Sequence, residues 1–257
     1  MSDIVSGAAS AATGRCAAPS AAYFDDFDTA HLGLLRQEQL AEGISCNHPC
    51  LLLWRAPRAL VVGRSDTRLP DYADAAARLV AEGWPVLVRR SGGSACPISK
   101  GTLQIALARA ATTEITIDSA YTELTNLIRA VLESYGLKIE TCSRPNAFCP
   151  GRYDMSINGR KIAGLSQHWR QCHGHFTVTT AAALTVEEDP EEIAHIVNLF
   201  YRLAGGTRRC STSAVGALRQ ELPLYAAFEA SLVKDLRNRI ADAFSQMWGS
   251  AFCDPAT

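Results

Sequence analysis

The sequence lacks an excess of charge of either sign: its 257 residues include 25 Lys or Arg and 26 Asp or Glu, a formal net charge of −1. A nearly neutral chain has no overall basic surface of the kind that binds nucleic acid or anionic membranes. It also lacks an apolar run long enough to cross a bilayer, and its Ala- and Ser-rich start lacks the basic and apolar regions of a secretory signal. We therefore expect a cytoplasmic protein with no nucleic-acid or membrane partner.

The cysteines lack the regular spacing of a disulfide framework. There are nine of them, an odd number. Such a set favours reduced thiols in the cytosol, and we expect no structural disulfide. The positions are Cys16, Cys46, Cys50, Cys96, Cys142, Cys149, Cys172, Cys210 and Cys253.

The length of the chain fits one main α/β domain. Residues 1–22 are small and aperiodic, which predicts a flexible leader. We expect the main domain over residues 23–210, with folding beginning near Tyr23, and a helical extension over 211–257 that packs on it.

Five helices are predicted from apolar spacing and capping residues. Asp28 is the expected N-cap of the first, with Leu32, Leu35 and Leu40 on its inner face. The third begins at Asp118 and ends at Gly136, and Asp189 and Pro190 open the fourth. The predicted helical ranges are 28–42, 71–83, 118–135, 189–204 and 222–248.

Strands alternate with these helices, which indicates a mixed α/β fold. A loop is expected from Ser91 to Gly101. The region 153–186 contains two alternating segments and a further strand, and therefore predicts an antiparallel meander. The other predicted strands cover 51–55, 59–64, 85–90 and 102–108.

Asn158-Gly159 is the strongest turn signal in the chain, because a two-residue hairpin turn needs positive φ at both positions. It fixes Lys161 just beyond a rigid turn. Cys149 precedes the hairpin, beside Pro150 and Gly151 in a loop of the kind that displays reactive groups. A thiol near a positive charge is a nucleophile suited to acyl transfer, although free cysteines are more often structural.

A second candidate site contains paired arginines and paired glycines, which let backbone N–H groups approach an anion or a carbonyl. The residues are Arg89, Arg90, Ser91, Gly92 and Gly93. A loop and a strand follow the glycines, so the pattern matches neither a dinucleotide nor a P-loop signature. A simple turn with solvated arginines explains the same residues equally well.

The histidines and cysteines near residue 172 suggest a metal site, with Cys142 and Cys149 as further ligands. The spacing disfavours it, because residues 173 and 175 share one strand face and Cys172 points away. His168 and His173 are candidate general bases or substrate-orienting groups. His31 and His195 are expected to be structural.

Four segments, in order, resemble the superfamily of lipoate ligases, biotin ligases and octanoyltransferases. They are ALVVGRSD, RRSGGSA, GRKIAGLSQ and HGHFTV. The resemblance covers nearly all of the chain after residue 23. It implies an α/β catalytic domain over 23–210 with a mixed, largely antiparallel sheet, flanking helices and an acyl tunnel.

The run FCPGRYDMSINGRKIAG is most similar to the cysteine-dependent branch, the octanoyltransferases and lipoyl amidotransferases. The resemblance implies that Cys149 is the nucleophile and that Lys161 contacts the acyl carbonyl and stabilises the oxyanion. The substrate-binding residues that it implies are Arg64, Arg89, Arg90, Ser91, Gly92, Gly93, Ala95, Tyr153, Asp154, Gly164, Ser166 and His173.

On this interpretation an octanoyl or lipoyl group passes from an acyl carrier protein, or a lipoylated donor protein, to a lysine of a lipoyl-domain protein. The expected acceptor is a glycine cleavage H protein or a 2-oxoacid dehydrogenase subunit. The transfer needs no cofactor and no metal.

Two alternatives stay open. An ATP-dependent lipoate ligase would use ATP and Mg²⁺ to form an acyl adenylate, although the full C-terminal accessory domain of large ligases is not seen here. A non-catalytic carrier-protein or metal-binding module would use the same groove. Cys96 and Lys100 match no family position, and Cys96 could compete as a reactive thiol.

Overall fold

A large β-sheet forms the centre of the fold. The structure, a computed structural model, describes residues 20–44, 48–172, 175–223, 232–249 and 251–252. The strands in chain order are β1 (Ala21–Asp26), β2 (Cys50–Arg55), β3 (Ala59–Val62), β4 (Val86–Val88), β5 (Cys96–Ile98), β6 (Thr102–Ala110), β7 (Glu140–Thr141), β8 (Met155–Ile157), β9 (Arg160–Cys172), β10 (His175–Thr185) and β11 (Ala251–Phe252).

The large sheet has eight strands in the order β11-β1-β2-β6-β10-β9-β8-β7, and a small sheet has the order β4-β3-β5. In the large sheet β1 runs parallel to β2 and β11, whereas the other pairs are antiparallel. The predicted mixed, largely antiparallel sheet is confirmed. So is the meander, which consists of β8, β9 and β10.

Helices cover both faces of the large sheet. They are α1 (Ala30–Gln39), α2 (Tyr72–Ala81), α3 (Ile117–Glu133), α4 (Pro190–Leu203), α5 (Leu218–Glu221) and α6 (Leu232–Trp248), with short 3₁₀ turns at Leu40–Gly43, Asp66–Arg68 and Thr212–Ala214. One apolar core joins α3, α5 and α6 to one face. The other core joins α2, α4 and the small sheet to the opposite face.

Several predicted helix starts need correction. Thr29, instead of Asp28, is the N-cap of α1, and its hydroxyl accepts from Leu32 N. The helix α3 begins at Ile117, one residue before the predicted start at Asp118, and the hydroxyl of its N-cap Thr116 accepts from Ser119 N. Asp189 caps α4 as predicted, with Pro190 in the first turn. Threonine and aspartate both cap helices, so the sequence located these starts only to within two residues.

The inner face of α1 also differs from the prediction. Leu40 is buried as predicted, but Leu32 and Leu35 are exposed, and Ala30 and Gly33 are buried in their place. Gly33 lies against the indole of Trp54, where a Cβ atom would come within 2.3 Å of the ring. The helix therefore turns its smallest residues inward because a large ring already fills the space beneath it.

Three further differences concern the strands and the C-terminal segment. The predicted loop from Ser91 to Gly101 contains β5, a short strand around Pro97. β1 begins at Ala21, two residues before the expected start of folding. The predicted helix over 222–248 is observed as α6 after residues 224–231, which lie outside the described part. The predicted division of the chain at residue 210 stays a prediction.

Within the described residues, none of the helices has the length and apolar character needed to span a membrane. The five cysteines whose side chains are described, at positions 50, 96, 142, 149 and 210, are free thiols.

Candidate active site

Cys149 lies in the loop that joins β7 to β8, and its backbone has the left-handed conformation with φ of +39°. A non-glycine residue with positive φ is uncommon and is retained where the surrounding structure imposes it, often at a functional site. The residue is half-buried and lines a cleft. The loop therefore holds a cysteine in an imposed conformation at the wall of a cleft.

Two groups from the glycine loop surround this sulfur. Ser94 N–H donates to Cys149 Sγ over 3.1 Å, and Arg89 Nη2 donates to it over 3.4 Å. A Cβ atom on Gly93, whose φ is +108°, would lie only 2.7 Å from the sulfur. A glycine at this position therefore lets a backbone donor and a positive charge reach the thiol together.

Arg89 is nearly buried and the glycine loop wraps around its guanidinium group. Nε donates to Gly92 O over 3.0 Å, Nη1 to Val61 O over 3.0 Å, and Nη2 to Ser94 O over 2.7 Å. Three carbonyls thus fix the plane of the guanidinium. Arg89 is both the scaffold of the loop and the cation next to the sulfur.

Lys161 is completely buried and contacts the cysteine loop through backbone carbonyls. Its Nζ donates to Phe148 O over 2.8 Å and to Cys149 O over 2.7 Å, and lies 2.9 Å from Asp154 Oδ2. An ammonium has three N–H donors, so these contacts occupy all of them. The resemblance implied that Lys161 contacts the acyl carbonyl; in the structure its ammonium holds the backbone of the Cys149 loop.

Asp154 connects this lysine to the turn after Cys149. Its carboxylate accepts from Gly151 N–H over 2.9 Å. Burial raises the pKa of the Asp154 carboxyl, and the Lys161 ammonium opposes that effect. A buried carboxylate and ammonium that share hydrogen bonds with the loop fix its shape.

A second buried network supports the glycine loop from behind. Ala95 N–H donates to the Tyr201 hydroxyl over 3.0 Å, and that hydroxyl donates to Asp66 Oδ1 over 3.1 Å. Asp66 Oδ2 accepts from Gly63 N–H over 3.2 Å. A Cβ atom on Gly63 would lie 1.9 Å from Gly93 O, so the two loops touch through backbone atoms.

Cys149 lines a cleft whose walls are mostly apolar. β9 and β10 contribute Gly164, Leu165, Ser166, Ala181, Ala182 and Ala183. The other lining residues are Leu34, Gln37, Trp54, Val61, Arg89, Ser91, Cys96, Ile98, Gln104 and Cys149. An apolar cleft that ends at a thiol fits an acyl chain with its carbonyl at the sulfur.

The mouth of the cleft is polar. Ser91 Oγ donates to Ser166 Oγ over 3.1 Å, and Arg90 pairs with Glu38 over 3.1 Å. His168 lies on the same face of β9 as Ser166, and burial lowers its pKa. The entrance therefore presents hydroxyl, guanidinium, carboxylate and imidazole groups to a ligand.

Some predicted site residues lie elsewhere. Arg64 is exposed and is not among the residues that line the cleft or its mouth. Tyr153 stacks on Tyr121, with ring centroids 4.2 Å apart, and its hydroxyl donates to Asp118. His173 lies outside the described residues.

Cys96 lines the cleft and is almost fully buried. Burial, and then the neighbouring Cys149, raise the pKa of its thiol to about 12. His31 and His195 are exposed. In the described part of the chain, no three or more His, Cys, Asp or Glu side chains are grouped to hold a metal ion.

The sequence did not identify three contributors to the site, Ser94, Asp66 and Tyr201. Ser94 acts through its backbone N–H, which any residue other than proline provides. Tyr201 is 106 positions from Ala95, so only the tertiary fold brings them together. Tyr201 could have been recognised only as a buried position of α4.

Comparison with known proteins supports the resemblance. The family model described as the lipoyl protein ligase A/B catalytic domain matches residues 30–245. An octanoyl-[GcvH]:protein N-octanoyltransferase of Bacillus velezensis is 38% identical over 152 residues, which are 59% of this chain and 52% of that protein. A lipoyl-[GcvH]:protein N-lipoyltransferase of Listeria monocytogenes is 30% identical over 157 residues, 61% of this chain and 55% of that protein. The chain thus spans about half the length of these curated relatives.

Solved structures share the fold at low sequence identity. Lipoate-protein ligase A bound with ATP has a TM-score of 0.70 and 16% identity, with 92% of this chain and 88% of that chain covered. A bi-partite lipoate protein ligase from Thermoplasma acidophilum has a TM-score of 0.68 and 18% identity, with 92% and 86% covered. With a family model matched from residue 30 to residue 245, the chain belongs to the lipoyl protein ligase A/B catalytic domain family.

Proposed function

We propose that this protein transfers an octanoyl or lipoyl group, through a thioester on Cys149, to a lysine of a lipoyl-domain protein. The observation that carries the proposal is the environment of the sulfur, which accepts from Ser94 N–H and Arg89 at the end of an apolar cleft. A thiolate is the reactive form of cysteine, and an adjacent cation and N–H donor favour it. The names of the relatives, which specify octanoyl or lipoyl transfer from GcvH to protein, support the same reaction.

In the first step, the Cys149 sulfur attacks the acyl carbonyl of the donor. A carbon–sulfur bond to Cys149 forms, the bond from the acyl carbon to the donor breaks, and the donor leaves with a proton. Ser94 N–H and the Arg89 guanidinium donate to the sulfur and hold it in place for this attack. In the second step, the lysine amine of the acceptor attacks the thioester, an amide forms, and Cys149 regains its thiol.

Lys161 acts in this scheme as a positioning residue. Its three contacts hold the carbonyls of Phe148 and Cys149 and the carboxylate of Asp154, and so fix the nucleophile against the donors. The scheme needs neither ATP nor a metal ion, because the acyl thioester of a carrier protein is already activated, and transfer from a lysine amide of the H protein to a lysine amide of the acceptor exchanges equivalent bonds overall. Donor candidates are an acyl carrier protein and the glycine cleavage H protein, and acceptors are lipoyl domains such as that of a 2-oxoacid dehydrogenase subunit. A cytoplasmic location stays a prediction.

The test is the intact mass of the protein after incubation with octanoyl-acyl carrier protein, or with octanoylated H protein, in the absence of ATP. We expect an octanoyl adduct that hydroxylamine removes and that Cys149→Ser lacks. Cys142→Ser is the matched control, because Cys142 is a free thiol that does not line the cleft, and it should keep the adduct.

An ATP-dependent ligase would behave differently. Neither donor would give an adduct. With lipoate, ATP and Mg²⁺, the wild type and Cys149→Ser would lipoylate a lipoyl domain equally well. That result would overturn the thioester route. A non-catalytic module would bind the acyl donor but give neither the adduct on Cys149 nor a lipoylated lipoyl domain.

A further inference from the structure

Four neighbouring strands place one residue each in a row across the floor of the cleft. Gly164 on β9 pairs with Ala183 on β10, Ala183 with Gln104 on β6, and Gln104 with Trp54 on β2. All four line the cleft. Because neighbouring strands lie about 4.8 Å apart, the row is roughly 14 Å long and runs perpendicular to the strands.

One end of this row, Gly164, lies beside the loop that carries Cys149. A Cβ atom on Gly164 would lie 2.9 Å from Lys161 Nζ and 3.6 Å from the ring of Phe148, the residue before Cys149. Along the row the side chain grows from hydrogen in Gly164 to methyl in Ala183, then to the amide of Gln104 and the indole of Trp54. The floor is therefore open beside the thiol and closed at the opposite end.

The indole at the closed end is held on several sides. Trp54 is 1% exposed, and its Nε1 donates to Gln37 Oε1 over 3.1 Å. Phe27 packs edge-to-face on it with ring centroids 6.0 Å apart. On the side of α1 the ring touches Gly33 so closely that a Cβ atom there would come within 2.3 Å. A side chain held in this way cannot move aside to admit a longer ligand.

We propose that Trp54 forms the end wall of the acyl site and sets the longest chain that the cleft accepts, with Gly33 setting the position of the wall. The proposal rests on the proposed acyl transfer and deepens it. Its substrate class is the medium-chain acyl group, and long-chain fatty acyl groups are excluded by the indole. Neither Trp54 nor Gly33 touches the reacting atoms, so substitutions at these positions should change which acyl chain lengths are accepted and not the chemical step.

The experiment measures acyl adducts on Cys149 from hexanoyl, octanoyl, decanoyl, dodecanoyl and hexadecanoyl thioesters of acyl carrier protein. The variants are Trp54→Leu, Trp54→Phe and Gly33→Ala, each checked for folding by thermal melting. We expect Trp54→Leu to raise the rate ratio of dodecanoyl to octanoyl at least about tenfold, and Trp54→Phe to raise it less. Gly33→Ala pushes the ring into the cleft and should lower the ratio of octanoyl to hexanoyl.

A purely structural role for Trp54 would reduce the rates for all chain lengths by one common factor. That result, or a wild type that accepts hexadecanoyl as readily as octanoyl, would overturn the inference while leaving the thioester route intact. If no thioester acylates the wild type, the proposed function fails. The chain-length limit is then decided by calorimetric binding of free hexanoate, octanoate and dodecanoate to the wild type and Trp54→Leu.

Discussion

Lys161 and Cys149 are joined through the backbone: the lysine ammonium donates to the cysteine carbonyl over 2.7 Å, while the cysteine sulfur accepts from Ser94 N–H and Arg89 on its other side. Cys149 is therefore held between two cations with different tasks. Lys161 fixes the loop from beneath, and Arg89 supplies the charge next to the thiol.

The Lys161–Asp154 pair is expected to contribute strongly to stability, because both side chains are buried and removal of one leaves the other uncompensated. Lys161→Met should lower the free energy of unfolding by about 3–5 kcal/mol, as measured by urea denaturation. The double variant Lys161→Met/Asp154→Leu should lose at least about 1 kcal/mol less than the sum of the single variants.

The exposed pair of Arg78 and Glu82 on α2 is the matched control for that measurement. Arg78→Met should change the free energy of unfolding by less than about 1 kcal/mol. Strict additivity of the two buried substitutions would show that Lys161 and Asp154 do not act as a pair.

Gly93 is expected to tolerate no side chain. A Cβ atom there would lie 2.4 Å from Arg89 Nη2 and 2.7 Å from Cys149 Sγ, and φ is +108°. Gly93→Ala should therefore displace the thiol or its donors and slow acyl-adduct formation by about 100-fold, because small misplacements at a reacting centre are costly. Gly92→Ala is the comparison, since its Cβ atom would meet nothing within 4 Å. Equal losses in both variants would argue against a steric role for Gly93.

The sequence predicted the parts of the fold that depend on neighbours in the chain. Asp189 and Pro190 mark the start of α4, and Asn158-Gly159 forms the expected turn, with φ of +50° and +77°. β5 was missed because it is a strand only through its pairing with β3, and a pairing between distant segments leaves little local signal.

The candidate site likewise contains contacts between residues close in the chain, which the sequence predicted, and contacts between distant segments, which it did not. Cys149 and Lys161 are twelve residues apart, and a hairpin signal was enough to associate them. The contact between Arg89 and Cys149 spans sixty residues, so it depends on how the small sheet docks on the large one. Ser94 contributes a backbone N–H group, which no residue-type pattern reports.

Tyr201 is expected to support the glycine loop although it lies far from the motifs. Tyr201→Phe removes the oxygen that accepts from Ala95 N–H and donates to Asp66, and so leaves a buried donor without its partner. The free energy of unfolding should fall by about 1–3 kcal/mol, and acyl-adduct formation should slow. Tyr72→Phe is the control, because that ring packs on the neighbouring Phe200 and its change should stay within about 0.5 kcal/mol. Equal effects of the two substitutions would exclude the network as a support.

The described cysteine thiols are expected to differ in reactivity with iodoacetamide. Burial raises the pKa of Cys96 to about 12 and that of Cys210 to about 11, so at about pH 8 roughly one in a thousand or fewer of either thiol is ionised. Cys149, beside Arg89, should be labelled first, and faster than Cys142 outside the cleft.

A series of rising pH values should separate the two buried thiols. Thiolate forms in the order of the pKa values, so Cys210 should be labelled before Cys96. Peptide mass mapping after short exposures at each pH measures this order. Labelling of Cys96 at about pH 8 as fast as that of Cys149 would make Cys96 the competing nucleophile.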